Sequence, residues 1–160
     1  MVTLALFGCA VGCGGGDIHR PYTYTFIQSG GFGAVHNELV VDSDAKLVTL
    51  QYGNGQRKTA DATEEDLKAL EDGLKKASFM SLHGPYECMN CADQFVYDAT
   101  VTMERSQSHT VHWEDGSNAP AGLTALGAWS MKLIQSKFPP PPIPALVRVQ
   151  EAAPLAPAPQ

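Results

Sequence analysis

The four cysteines are the residues of this sequence with the widest covalent chemistry, and they fall into two pairs. Cys9 and Cys13 lie in an apolar stretch at the N-terminus, whereas Cys88 and Cys91 form a single C-x-x-C motif. A thiolate can bind zinc, exchange disulfides or act as a nucleophile, depending on its surroundings. Each pair is therefore interpreted from the residues around it.

The first sixteen residues carry no charged side chain, and their apolar run ends in small residues and cysteine. This pattern resembles the end of a bacterial lipoprotein signal peptide, in which a cysteine preceded by small residues becomes lipidated. Cys13 follows smaller residues than Cys9 does, and a glycine-rich stretch comes after it. Removal of Cys9 with the signal would also leave only one pair of cysteines in the folded part of the chain.

We therefore predict a signal peptide over residues 1–13 and a flexible tether over 14–21. Lipid attachment is assigned to Cys13, with Cys9 as the less favoured position. The protein is expected on the bacterial cell envelope, facing the periplasm or the cell surface. The alternative is a buried N-terminal strand or helix that contains two ordinary apolar cysteines.

The second cysteine pair allows three chemistries. Export from the cytoplasm would favour a disulfide between Cys88 and Cys91. A zinc site would need two more ligands, and although His83 and Asp93 lie nearby, the sequence has no second C-x-x-C. A redox site would open a helix beside a βαβ unit, but a strand pattern follows here. We rank the disulfide first, zinc second and redox chemistry last, and we predict no metal or other cofactor.

No other pattern in the sequence predicts catalysis. The five histidines are scattered, and His109 and His112 would point to opposite faces of a strand. The sequence has no nucleophile elbow, H-E-x-x-H, P-loop or Rossmann fingerprint. A net charge of −6 argues against nucleic-acid binding, which requires a basic surface. We predict a protein that is not an enzyme.

A glycine-rich bend between two strand patterns organises the rest of the chain. Runs of aromatic and β-branched residues flank it, which predicts a hairpin. The bend, called the glycine bend below, consists of Ser29, Gly30, Gly31, Phe32 and Gly33. Phe32 is its only large side chain, so the ring must either enter the core or contact a partner. The sequence leaves both possibilities open.

The remaining patterns predict an α+β domain over residues 22–138. Its order is β-β-β-α-β-β-α, with an antiparallel sheet of about five strands and two helices on one face. Residues 63–77 form the clearest helix, because an N-cap threonine precedes acidic residues and leucines recur at helical spacing. Residues 139–160 contain eight of the eleven prolines and show no periodicity, which predicts a disordered tail.

Together these features resemble the emfourin family, small proteins named for inhibiting thermolysin-type metallopeptidases such as protealysin. The matching segments are the strand into the glycine bend, the strand 38–42, the helix 67–77, the strand entry 93–97 and the helix start 120–126. The resemblance covers most of residues 22–138. It implies a domain that inhibits a peptidase, and we expect the glycine bend to be the contact loop with Phe32 as its apolar anchor.

The sequence departs from the family pattern in three places. The loop with Cys88 and Cys91 and the proline-rich tail do not belong to the pattern. Gly33 and Ala34 stand in the order Gly-Ala, where the pattern has Ala-Gly after the phenylalanine. We therefore expect a lipid-anchored binding protein whose partner is a secreted or periplasmic metallopeptidase. The alternative is a structural or interaction lipoprotein of the envelope with no inhibitory activity.

Overall fold

Alternating apolar and polar residues build a six-stranded antiparallel sheet with two helices, so the predicted α+β class is confirmed. The computed structural model describes residues 18–103 and 107–140. The elements are β1 (Tyr22–Gly30), β2 (Val35–Asp42), β3 (Leu47–Tyr52), β4 (Arg57–Asp61), α1 (Glu64–Lys76), a 3₁₀ turn (Phe79–Ser81), β5 (Phe95–Met103), β6 (Gln107–Glu114) and α2 (Ala121–Lys137). The predicted signal peptide with Cys9 and Cys13, the first part of the tether and most of the tail lie outside the described residues.

Strand β1 lies in the middle of the sheet, whose spatial order is β4-β3-β2-β1-β5-β6. Its burial alternates: Tyr22, Tyr24 and Phe26 are at most 3% exposed, whereas the residues between them are half-buried. The buried face carries both helices. The Tyr22 hydroxyl donates to Glu71 of α1, and the Tyr24 hydroxyl lies 2.9 Å from the Ser130 hydroxyl of α2. The two helices therefore cover one face, as predicted.

The sheet has six strands rather than the predicted number of about five. The strand that was not predicted is β4. Its residues are Arg57–Asp61, and all except the partly buried Ala60 are exposed. No residue of β4 is buried, so its sequence needs no apolar alternation, unlike β6 at the other edge, where Val111 and Trp113 are buried. Charged side chains on such an edge also discourage pairing with other chains. The sequence of β4 therefore lacks the alternation of apolar and polar residues from which the other strands were predicted.

Helix α1 begins at the predicted cap. The Thr63 hydroxyl accepts a hydrogen bond from the Asp66 backbone N–H, and the Asp66 carboxylate accepts one from the Thr63 N–H. This reciprocal capping satisfies two backbone donors at the start of the helix. Lys137 at the end of α2 lies 2.7 Å from the same carboxylate, so the two helices are joined there.

Helix α2 packs closely on the sheet because small residues face it. A Cβ atom on Gly127 would lie 2.9 Å from Cζ2 of Trp113, which is buried. The hydroxyl of the fully buried Ser130 donates to the Leu126 carbonyl, so this polar atom is satisfied inside the helix. Within the described part of the chain, no helix has both the length and the hydropathy to cross a membrane.

Candidate functional site

Three connecting segments meet at one end of the sheet, called the loop end below. They are the glycine bend (29–33), the cysteine loop (83–93) and the turn after β6 (115–119). The strand register brings them together, because Gly30 pairs with Phe95 and Val96 pairs with Glu114. The end of β1, the start of β5 and the end of β6 therefore lie side by side.

Backbone contacts to the start of β5 fix the glycine bend. The Gly31 N–H donates to the Gln94 carbonyl at 3.2 Å, and the Ala34 N–H donates back to the Gly31 carbonyl at 3.1 Å. Gly30 and Gly31 have φ values of +98° and +70°, which favour glycine. A Cβ atom on Gly30 would also lie 2.5 Å from the Gln94 oxygen. Glycine is therefore required at the entrance to this bend.

The bend holds Phe32 in solvent. Its side chain is 94% exposed, so the ring lies outside the core. The sequence alone had left the position of this ring open. Ser29 and Gly30 end strand β1, and Gly33 is exposed beside the phenylalanine. The five residues of the glycine bend thus form one tip whose only large side chain points away from the domain.

The residue after Gly33 has a backbone conformation that favours glycine. Ala34 has a φ of +44°, in the left-handed region, whereas Gly33 is not among the residues with positive φ. An L-residue in this region is destabilised by roughly 1–2 kcal/mol, which glycine avoids. The order Gly33-Ala34 therefore places the alanine where a glycine would be unstrained.

The cysteine loop carries the disulfide that the sequence analysis ranked first. Cys88 and Cys91 are bonded, with their Cα atoms 5.6 Å apart. The turn after β6 packs against them, since a Cβ atom on Gly116 would lie 3.1 Å from the Cys91 sulfur. Among the residues that the structure describes, no group of three or more His, Cys, Asp or Glu side chains is arranged to hold a metal ion.

Glu114 at the end of β6 fastens the cysteine loop to the sheet. One of its carboxylate oxygens accepts hydrogen bonds from the Cys88 N–H and from the Gln94 side-chain amide, both at 2.7 Å. Tyr86 lies alongside β6, because its carbonyl accepts from the Glu114 N–H at 3.0 Å. Hydrogen bonds at Tyr86 and Cys88 therefore hold the loop against β6, and the disulfide closes its tip.

Sequence analysis missed a second exposed apolar side chain at this end. Met89 sits between the two cysteines and is 94% exposed, the same fraction as Phe32. The available signal was a large apolar residue between the two cysteines of the C-x-x-C motif. Glu114 was also missed, because a single carboxylate at a strand end carries no distinguishing pattern.

A shallow groove of about 180 Å³ borders the loop end between β5, β6 and α2. Its lining includes Tyr97, Trp113 and Asp115, and the first two rings stack with centroids 5.3 Å apart. The Tyr97 hydroxyl donates to Asp115 at 3.2 Å. Burial, together with the nearby Asp115 charge, raises the pKa of Tyr97 to about 12. The hydroxyl therefore stays protonated and acts as a donor at neutral pH.

Among the described residues, the histidines do not assemble into a reactive cluster. His109 lies half-buried with its ring edge-on to Phe79, and His112 lies 2.8 Å from the Asp98 carboxylate on the opposite face. No protein-family model matches the chain, and no curated protein is significantly similar to it.

Proposed function

We propose that this protein is a lipid-anchored binding protein of the bacterial cell envelope that inhibits a thermolysin-type metallopeptidase through its glycine bend. The observation that carries the proposal is the 94% exposure of Phe32 on a bend whose backbone is fixed to β5. The family resemblance supplies the class of target. Anchoring through Cys13 would hold the domain near a secreted or periplasmic peptidase.

A fixed tip favours binding because little conformational freedom is lost when a partner covers it. Gly31 is hydrogen-bonded to Gln94, and the close approach of Gly30 leaves the bend few alternative conformations. A phenylalanine side chain supplies a large apolar area and only two rotatable bonds. Such rings are typical of the few residues that dominate the affinity of an interface.

The test is inhibition of thermolysin by the purified full chain and by its Phe32→Ala variant. We expect the inhibition constant to rise about thirtyfold in the variant, the effect of losing a hot-spot residue of about 2 kcal/mol. The free energy of unfolding should change by less than about 0.5 kcal/mol, because the ring lies outside the core. Inhibition assays and thermal unfolding of the same samples measure both quantities.

Leu47→Ala is the matched control. Leu47 is also apolar and 39% exposed, but its partner Asp42 pairs with the start of β1, so it lies at the opposite end of the sheet. This variant should inhibit as well as the unmodified chain. Full potency of Phe32→Ala would show that the glycine bend is not the contact. A wild-type chain without inhibitory activity would favour a structural envelope lipoprotein.

A further inference from the structure

We infer that the binding surface extends beyond the glycine bend to the cysteine loop, and that Met89 is a second apolar anchor held in place by the Cys88–Cys91 disulfide. This inference rests on the proposed function and concerns the same partner. The family resemblance supplies the class of partner, and the geometry of the cysteine loop, which does not belong to the family pattern, supplies the second anchor. The partner we assign is a peptidase surface that carries two apolar pockets and positive charge.

The two anchors have the same degree of exposure. Phe32 and Met89 are each 94% exposed, and the other exposed large apolar side chain among the described residues is Leu47 at 39%. An unbranched methionine adapts its shape to a pocket, whereas phenylalanine presents a flat rigid ring. Two such side chains at one end of the sheet are a larger apolar feature than either alone.

One residue connects the two tips. The Gln94 carbonyl accepts the hydrogen bond of Gly31, and the Gln94 side-chain amide donates to Glu114. Glu114 in turn accepts the hydrogen bond of Cys88. The glycine bend and the cysteine loop are therefore parts of one hydrogen-bonded framework, and their relative position is set before a partner arrives.

The strands that carry the two tips lie close enough together for a single interface. The glycine bend follows β1, the cysteine loop is fastened to β6, and β5 alone lies between these strands. Neighbouring strands are about 4.8 Å apart, which gives a lateral offset of about 10 Å. An ordinary interface of about 800 Å² on each partner covers that distance.

The charge around the anchors indicates the chemistry of the partner. Glu87, Asp93 and Asp115 are exposed at the loop end, and Glu114 is half-buried there. The three segments of the loop end contain no lysine or arginine. A complementary surface would therefore place basic side chains around its apolar pockets, and such pairs raise the association rate most at low ionic strength.

The test compares Phe32→Ala, Met89→Ala and the double variant Cys88→Ser/Cys91→Ser as inhibitors of thermolysin. Serine replacement is used because a thiol reductant would itself bind the metal of the peptidase. We expect Met89→Ala and the serine variant each to raise the inhibition constant about tenfold, a typical effect for an interface anchor. Met89→Ala in the serine background should add less than about threefold, because both changes disable the same anchor.

Thermal unfolding separates loss of the anchor from loss of the fold, and Leu47→Ala again serves as the control. If Met89→Ala inhibits like the wild type while Phe32→Ala is weaker, the second anchor is wrong and the glycine bend stands. Equal and fully additive effects of Met89→Ala and the serine variant would overturn the role of the disulfide in holding Met89. A wild-type chain that does not inhibit thermolysin would overturn both proposals together.

Discussion

Replacing Ala34 with glycine is expected to stabilise the protein. Ala34 has a φ of +44°, and this conformation destabilises an L-residue by roughly 1–2 kcal/mol. Glycine removes that strain, but it also increases the entropy of the unfolded chain, which offsets about 0.5–1 kcal/mol. The net expectation is an increase in the free energy of unfolding of about 0.5–1 kcal/mol.

Thermal unfolding of the full chain measures this change. For a domain of this size 1 kcal/mol corresponds to a shift of about 4 °C, so the Tm should rise by about 2–4 °C. Ala45→Gly is the matched control, because Ala45 is exposed in the turn before β3 and has no positive φ. At Ala45 glycine relieves no strain and only increases the entropy of the unfolded chain. The control should therefore be destabilised by about 0.5–1 kcal/mol.

The two variants must therefore change stability in opposite directions. If Ala34→Gly lowers the Tm as much as Ala45→Gly does, Ala34 is not strained and the description of the bend is wrong. The double variant Gly33→Ala/Ala34→Gly, which exchanges the two residues, should keep most of the gain. A Cβ atom on Gly33 would meet only a Val35 methyl group at 3.8 Å, an ordinary contact.

Two further predictions concern the stability of the fold outside the loop end. Hydrogen bonds from Arg20 and a neighbouring lysine lower the pKa of Glu64 from 4.5 to about 2. This stabilisation is present above about pH 4.5 and is lost toward pH 2, so Glu64→Gln should flatten the Tm profile across that window. Gly127→Ala would press a Cβ atom on Trp113, so the free energy of unfolding measured with denaturant should fall by about 1–3 kcal/mol. Gly73→Ala is the control, because its Cβ atom would meet only the end of a flexible leucine side chain, and it should show no such loss.

Most of the fold could be predicted because burial imposes a period on the sequence. Tyr22, Tyr24 and Phe26 alternate with threonines, and the Thr63 cap marks the start of α1. Strand β4 could not be found in this way, because none of its residues is buried, whereas β6 at the other edge of the sheet has a buried face. Its pairing with β3 depends on tertiary structure, and its own five residues do not encode it.

The candidate site was predictable to a smaller extent. Its glycines indicated a bend, but the direction of Phe32 depends on the contact between Gly31 and Gln94, which are distant in sequence. Met89 had a recognisable position between two cysteines, but its exposure follows from the anchoring of the loop by Glu114. In both cases the strand register determines which side chain reaches solvent. The residues of the loop alone do not determine that register.

The framework behind the two tips argues for a surface that is preorganised for a partner. Two large apolar side chains in water provide no burial energy to the fold, and the residues that hold them include strained Ala34 and the obligatory glycine at position 30. Strain of this kind is most often retained where a site must keep a fixed shape. These features support the proposal that the glycine bend contacts a partner.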